Sequence, residues 1–435
     1  MKKVTRRAYS ALLLAGLTIL GLIIYVVSYA SDGGDWALFT ANSKVYYNGM
    51  INVGTVKDRN GKVLAYADGE THYYAEDYDT RISCLHAVGD YAGNIGSGAL
   101  KVFRTKLAGY SSITGLKEGG GTVTLSIDSD LNSVAYKALS GRNGAVMMIN
   151  YKTGEILCMV SSPSYDPNTM QVPDGAYINR CIGASYVPGS VFKLVTLAAA
   201  LETIDDIKER SFYCAGSIQV GEQTVTCTGT HGSQTIEQAL ANSCNCAFGE
   251  IALELGGETL SDYAHKLGLC SEHEINGITT KAGSFDIAED GSSLLAWSAI
   301  GQYNDLVTPY SMLRYVAAIA NGGSVQEGTL LKGSGSSSTR LLSANTAKEI
   351  ASMMDYTVTT AYGDNLFPNL DLAAKSGTAE VGDGTSHSWF TGFLNDTKHP
   401  YAFVVVIEHG GSGLANAGAL ANTLLQAAVG EQTNG

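Results

Sequence analysis

In the run "YVPGSVFKLVTL", Ser190 precedes Lys193 by three positions among residues that are otherwise nearly all apolar. Helical positions three apart share a face, and Pro188-Gly189 marks a helix start. Ser190 then sits where unpaired backbone N–H groups and the positive end of the helix dipole collect. A serine hydroxyl is a weak nucleophile until a neighbour takes its proton, and a lysine shielded from water can lose its own proton near neutral pH. The pair reads as a nucleophile with its base. Taken alone, the same spacing also describes a capping serine and a lysine snorkelling to the surface.

Two further polar sets lie downstream. "ANSCNCAFGE" places Ser243 and Asn245 inside an apolar, helix-compatible run. A second hydroxyl can relay a proton toward a leaving group, and a side-chain amide can hold a substrate amide in register. In "AAKSGTAEV", Lys375 interrupts an apolar strand and Ser376, Gly377 and Thr378 follow. Such a lysine can attract a carboxylate, the hydroxyls of Ser376 and Thr378 can bind it, and Gly377 lets a ligand lie against the strand. Backbone N–H groups of Ser190 and Thr378 could together form an oxyanion hole. A helix cap and a strand end with a solvated lysine are the plain alternatives for each set; the ordered trio is what argues for chemistry.

These groups must be positioned by a folded body. The chain of 435 residues, 45% hydrophobic and 16% charged, fits two folded parts with a large core. A net charge of -13 argues against a nucleic-acid partner, which requires clustered Lys and Arg. Lys2, Lys3, Arg6 and Arg7 precede an uncharged stretch from Ala8 to Ser31, long enough to cross a bilayer, and Asp32 and Asp35 follow it. An uncleaved single-pass anchor is expected, with residues 1–7 as a cytoplasmic tail and the body outside; Ser28-Tyr29-Ala30 would also suit a signal-peptide cleavage site.

Residues 32–121 are rich in Tyr, Gly and Asp, with a strand, turn and strand in "GTVKDRNGKVLAYA" around Asn60-Gly61. Gly119 to Gly121 mark a junction, and residues 122–435 form the second part. There, "GAVMMINYKTGEILCMVS" reads as two strands and the Ser190 stretch as a buried helix. Helices follow over 235–255 and 294–320. Three strands come near the end, and a final helix covers 414–429. Strands at both ends with helices between them predict an α+β domain whose sheet is assembled from its two termini.

Eight cysteines in an exported chain permit disulfides. Cys214 and Cys227 flank a hairpin-like stretch and are the expected bridge, the alternative being that all eight are small buried hydrophobes. Cys244 and Cys246 bracket Asn245 and are assigned to packing. No metal site is expected: C-x-x-C and H-E-x-x-H are absent and the eight histidines are dispersed.

The ordered S-x-x-K, S-x-N and K-S-G-T sets are similar to the active-site motifs of penicillin-binding proteins and serine β-lactamases. "KDRNGKVLA", "VTLSIDSDLNSVAYKAL", "NRCIGASYVPGSVFKLVT" and "SAIGQYNDLVTPYSMLRYVAAIANGG" extend the likeness from about Gly54 to the C-terminus. The chain resembles a class B penicillin-binding protein, a monofunctional peptidoglycan D,D-transpeptidase. This resemblance implies a central antiparallel sheet flanked by helices and a small strand-rich pedestal. Its length leaves no room for a glycosyltransferase domain. By the same resemblance Ser190 is the nucleophile, Lys193 the base and Ser243 the proton relay. Asn245 holds the substrate amide, and Lys375 with Ser376, Gly377 and Thr378 binds the terminal carboxylate.

Stem peptides of peptidoglycan and β-lactams are the implied ligands, with no cofactor and with a multi-span membrane glycosyltransferase as partner. The implied setting is the cell membrane, the catalytic part lying extracytoplasmically, in elongation, division or sporulation. Related readings stay open. A β-lactamase would use Glu272 and Asn276 of "EHEIN" to activate water, a D,D-carboxypeptidase would use water as acceptor, and a β-lactam sensor or silent scaffold would not turn over. Trp389 could shape acceptor binding or simply fill the core.

Overall fold

Strand-forming runs from the two ends of the second part build one sheet. In the computed structural model, which describes residues 2–430, Gly144–Asn150 and Ile156–Ser162 form a hairpin. Leu372–Glu380, Ser386–Leu394 and Tyr401–Ile407 return from the far end of the chain, and Tyr401–Ile407 pairs with Gly144–Asn150 to complete a five-stranded antiparallel sheet. Leu372–Glu380 is left at one edge. This is the α+β arrangement that the order of strands and helices predicts.

The strands carry continuous apolar runs because both faces of the sheet are covered. Successive side chains point to opposite faces. Ala145, Met147, Val404 and Val406 therefore enter one core with the helices Lys193–Thr203 and Pro309–Ala320. Val146, Met148, Phe403 and Val405 enter a second core with Ser129–Leu139 and Ala419–Gly430. Pro309–Ala320 begins with a capping box between Thr308 and Ser311 and a proline in its first turn. Its Tyr315 hydroxyl donates to the Leu194 carbonyl at 2.7 Å, and Thr196 donates to Ala299 at 2.7 Å. Both bonds pin the helix that follows Ser190.

A smaller sheet contains Thr71–Tyr74, Val63–Asp68, Thr55–Lys57 and Thr122–Thr124 in that order, with the Asn60-Gly61 turn in its expected place. Thr122–Thr124, beyond the three glycines, pairs in parallel with Thr55–Lys57. The N-terminal helix Lys2–Ala37 is longer than the uncharged stretch and is long and apolar enough to cross a membrane.

Two expected helices are each divided. The 235–255 stretch is split into Ile236–Ala241 and Asn245–Leu255, and the 294–320 stretch into Ser293–Ser298 and Pro309–Ala320. A further helix, Ala344–Thr357, lies outside the expected elements; it starts at a Ser343 cap, buries Ala347, Ile350, Met353 and Met354 at helical spacing, and packs on the edge strand Leu372–Glu380. The expected Cys214–Cys227 bridge is not formed: all eight cysteines are free. The hairpin between them exists, pairing Ser217–Val220 with Gln223–Thr226. However, Cys246 and Cys244 of the following helix lie against Cys214 and Cys227, at 3.5 and 3.8 Å between sulfurs.

One buried acid in the loop 299–308 has a stability consequence. Asp305 is fully buried, its Oδ2 has no partner, and Ser298 donates to Oδ1 at 3.3 Å. Burial pushes its carboxyl up to about 8, with Asp286 adding to the rise. The folded chain thus keeps a proton that the unfolded chain releases near pH 4. Stability falls as pH rises between those values and levels above about 8. Asp305→Asn should flatten that slope and raise the melting temperature at pH 8 by several degrees, as scanning calorimetry from pH 5 to 8.5 would measure; an unchanged slope would refute the assignment.

Candidate active site

The three polar sets, far apart in sequence, meet around two buried amines. Lys193 Nζ lies 3.1 Å from Ser190 Oγ, 3.1 Å from Ser243 Oγ, 2.8 Å from Asn245 Oδ1 and 2.5 Å from the Ser243 carbonyl. Lys375 Nζ donates to Ser243 Oγ at 3.1 Å and to the Ser376 carbonyl at 3.0 Å. Ser243 Oγ bridges the amines. Neither lysine is exposed to solvent.

Local backbone explains each placement. Ser190 lies in a 3₁₀ turn, Gly189–Phe192, that feeds the α-helix starting at Lys193. A 3₁₀ turn has three residues per turn, so Ser190 and Lys193 stack more directly than two α-helical residues would. Gly189 has φ +56°, and a Cβ there would come within 2.9 Å of the Thr378 carbonyl, so glycine is what lets the turn press against the edge strand. Gly377 plays a different part from the one its sequence context suggests. Its missing side chain faces the turn, where a Cβ would meet the Pro188 carbonyl at 2.9 Å and Val191 at 3.1 Å, so it seats the turn that carries Ser190.

The break at Asn242–Cys244 is what brings the second set inward. Ser243 adopts φ +51°, an uncommon conformation for a residue with a side chain. Its carbonyl accepts from Lys193, and Asn245 opens the next helix with its Oδ1 on Lys193 and its Nδ2 donating to the Thr226 carbonyl at 2.9 Å. A continuous helix would have left that carbonyl bonded within the helix.

On the edge strand, Ser376 and Thr378 face away from Lys375 and Gly377. Ser376 N–H donates to the Tyr362 hydroxyl at 2.8 Å, which donates in turn to Ser376 Oγ at 2.9 Å. Thr378 Oγ1 accepts from Gly413 N–H at 3.1 Å. Glu380 N–H donates to Gln302 Oε1 at 3.1 Å. The N–H groups of residues 376 and 380 thus leave the strand on its unpaired side, and by the strand's period of two so does that of Thr378 between them. Tyr362 lies outside every family-like stretch, and Gln302 lies within "SAIGQYNDLVTPYSMLRYVAAIANGG" but carries no signal that would single it out. Trp389 is fully buried and donates to the Val187 carbonyl at 2.9 Å, so it fills the core and braces the segment leading to Ser190.

Burial lowers the Lys193 ammonium to about 7. Burial, and then the neighbouring charge of Lys193, pushes Lys375 well below the usual lysine range. One pocket with two amines therefore favours at most one ammonium until an anion arrives. Asn276 of "EHEIN" accepts from Leu330 N–H at 2.7 Å and Thr329 Oγ1 at 3.1 Å and serves that segment, while the Lys193 and Lys375 amines bond to hydroxyls, carbonyls and an amide.

The comparisons with known proteins agree with this geometry. The family profile described as "Penicillin binding protein transpeptidase domain" matches residues 144–426. The peptidoglycan D,D-transpeptidase PbpA of Mycobacterium tuberculosis is 28% identical over 373 residues, covering 76% of this chain and 75% of that protein. Stage V sporulation protein D of Bacillus subtilis is 31% identical over 293 residues, 60% of this chain and 44% of that one. Among solved structures, penicillin-binding protein A from M. tuberculosis as a ceftriaxone acyl-enzyme superposes with a TM-score of 0.73 at 25% identity, covering 86% of this chain and 98% of that one. The D,D-transpeptidase domain of a peptidoglycan glycosyltransferase from Eggerthella lenta gives 0.72 at 27% identity, covering 87% and 98%. The profile covers the whole sheet and each of the three polar sets, and on that basis the chain belongs to the penicillin-binding protein transpeptidase family.

Proposed function

We propose that this protein is a serine D,D-transpeptidase that cross-links peptidoglycan stem peptides in cell wall synthesis, and that β-lactams acylate it at Ser190. The observation that carries the reading is the contact of Lys193 Nζ with Ser190 Oγ at 3.1 Å inside a water-poor pocket. Neutral Lys193 takes the Ser190 proton as Oγ attacks the carbonyl carbon of the penultimate D-Ala. Negative charge then develops on the carbonyl oxygen beside the Ser190 and Thr378 N–H groups, a reading supported by the close approach of Gly189 to Thr378 and by the open edge that the Thr378 N–H faces.

The C–N bond breaks as the departing D-Ala nitrogen takes a proton through Ser243 Oγ, which bonds to both amines. An amine of a second stem peptide attacks the ester, forming the cross-link and returning Ser190. Asn245 aligns the donor strand. The donor's terminal carboxylate lies at Lys375, Ser376 and Thr378, and its charge would hold Lys375 as an ammonium. That ammonium in turn keeps Lys193 neutral.

The division into a pedestal, residues 32–121, and a transpeptidase domain, residues 122–435, suits this role, with Thr122–Thr124 as the seam between them. The apolar N-terminal helix is read as a single-pass anchor. Lys3, Arg6 and Arg7 stay in the cytoplasm by the charge rule for such helices, and the catalytic domain stands outside. A multi-span glycosyltransferase would supply the glycan strands.

Product analysis tests the reading. Purified protein given lipid-linked pentapeptide glycan and a polymerase should release D-Ala and yield cross-linked dimers by mass spectrometry. Tetrapeptide without dimers would make it a carboxypeptidase instead.

A further inference from the structure

Four metal-ligating side chains converge 13 residues or more from one another at the ends and within a few positions at the centre: Cys214, Cys227, His231 and Cys244 bring their ligand atoms within 4.8 Å of one another. Cys214 ends the strand Phe212–Cys214, Cys227 and His231 lie on the loop between Gln223–Thr226 and Gly232–Gln234, and Cys244 caps the helix Asn245–Leu255. The Cys227 sulfur is 3.8 Å from that of Cys244 and 3.7 Å from His231 Nδ1. Four donors at about 2.0–2.3 Å from a tetrahedral zinc ion are separated from one another by about 3.3–3.8 Å. A disulfide would require sulfurs at about 2.05 Å.

Ordinary packing accounts for one sulfur touching another. It does not account for three thiols and an imidazole gathered from separate elements, half of them not fully buried. Away from the cluster, Cys84, Cys158 and Cys181 are each buried as packing residues should be, and Cys270 is half-buried. The sulfur of Cys227 also accepts the Asn245 N–H at 3.2 Å, the kind of outer hydrogen bond that supports a metal-bound thiolate.

We propose that Cys214, Cys227, His231 and Cys244 form a structural site for a tetrahedral divalent ion of the zinc class, which clamps the hairpin loop onto the segment carrying Ser243 and Asn245. His231 binds through Nδ1, and each thiol releases its proton to solvent as the ion enters. Cys246, whose sulfur is 3.5 Å from that of Cys214, lies beside the ligand set without belonging to it. The sequence conceals the site because its donors are spread over three elements in place of paired C-x-x-C knuckles. The ion touches no substrate; by holding Cys244 it holds the residue between the proton relay and the amide ligand.

The test is metal content of the full-length protein in detergent, which reads the site independently of turnover. After growth with zinc and dialysis against metal-free buffer, elemental analysis should give about one zinc per chain. Cys227→Ser should lower that at least tenfold, and His231→Cys, which keeps a four-donor set, should retain it even if His231→Ala fails to fold. Cobalt exchanged into the wild type should develop the thiolate-to-metal absorption of a tetrahedral site. Cys84→Ser should keep the full metal content. Protein that stays metal-free after reconstitution with zinc, or whose non-reduced mass shows that the cluster's hydrogens have been lost to disulfides, would overturn the proposal.

Discussion

Ser190→Ala should abolish covalent labelling by a fluorescent penicillin while leaving the fold intact. The substitution removes one partly exposed hydroxyl from a turn whose backbone contacts come from Gly189, so its effect on stability should stay within about 1 kcal/mol. The experiment is informative because the pocket holds two serines at the same distance from the same amine. Ser243 Oγ is also 3.1 Å from Lys193 Nζ. Three arguments favour Ser190 as the nucleophile. It sits at the start of a helix, where backbone N–H groups are available to a developing oxyanion. It presses against the edge strand through Gly189, next to the Thr378 N–H. Ser243, by contrast, has both amines on its oxygen, a place suited to passing protons along. Ser243→Ala should therefore slow acylation but leave the label on the protein. Label persisting in Ser190→Ala and vanishing in Ser243→Ala would reverse the two roles.

Replacing Lys193 by methionine, which keeps length and removes the amine, should reduce the acylation rate constant by about 10²–10⁴-fold. The pH dependence should change with it. In the wild type, burial brings the ammonium down to about 7. Below that value the group is protonated and cannot accept the Ser190 proton, so acylation should fall about tenfold per pH unit; above it, the rate should reach a plateau. The methionine variant should lose this limb. Lys193→Arg should be nearly as slow, because a guanidinium stays charged at any accessible pH. Stopped-flow acylation between pH 5.5 and 9 would measure all three. A wild-type rate independent of pH across that window would remove Lys193 from the role of base.

Much of this site is legible in the sequence because its chemistry depends on short, rigid spacings. A serine and a lysine three apart are neighbours in either kind of helix, and Lys375 within an apolar strand has few reasons to exist apart from a ligand or a charged partner. The sheet, too, is readable, since strands covered on both faces must be apolar throughout, as "YAFVVVI" is. What sequence hides is set by tertiary contact. The break at Ser243 has no glycine or proline to announce it; it is imposed by Lys193 drawing a carbonyl out of helical register. Gly377 looks like a ligand-facing glycine until the turn beneath it is placed. Thr122–Thr124 crosses the run of glycines to finish the smaller sheet, a parallel pairing that local pattern cannot specify. The cysteines are the clearest case. Linear spacing points to a bridge between Cys214 and Cys227, whereas the fold inserts two more sulfurs from a later helix.

The order of the five strands constrains how the enzyme comes into being. Gly144–Asn150 is made early, yet its hydrogen-bonding neighbour Tyr401–Ile407 is synthesised only after all the intervening helices. Until that last strand arrives, one edge of the early hairpin is an open ladder of peptide groups, apolar on both sides and able to pair with any passing strand. Contacts so distant along the polymer are slow to close. The newborn chain should therefore need shielding from its neighbours for the whole of its elongation. A stop codon placed before Tyr401 should yield aggregate in place of a weakened enzyme.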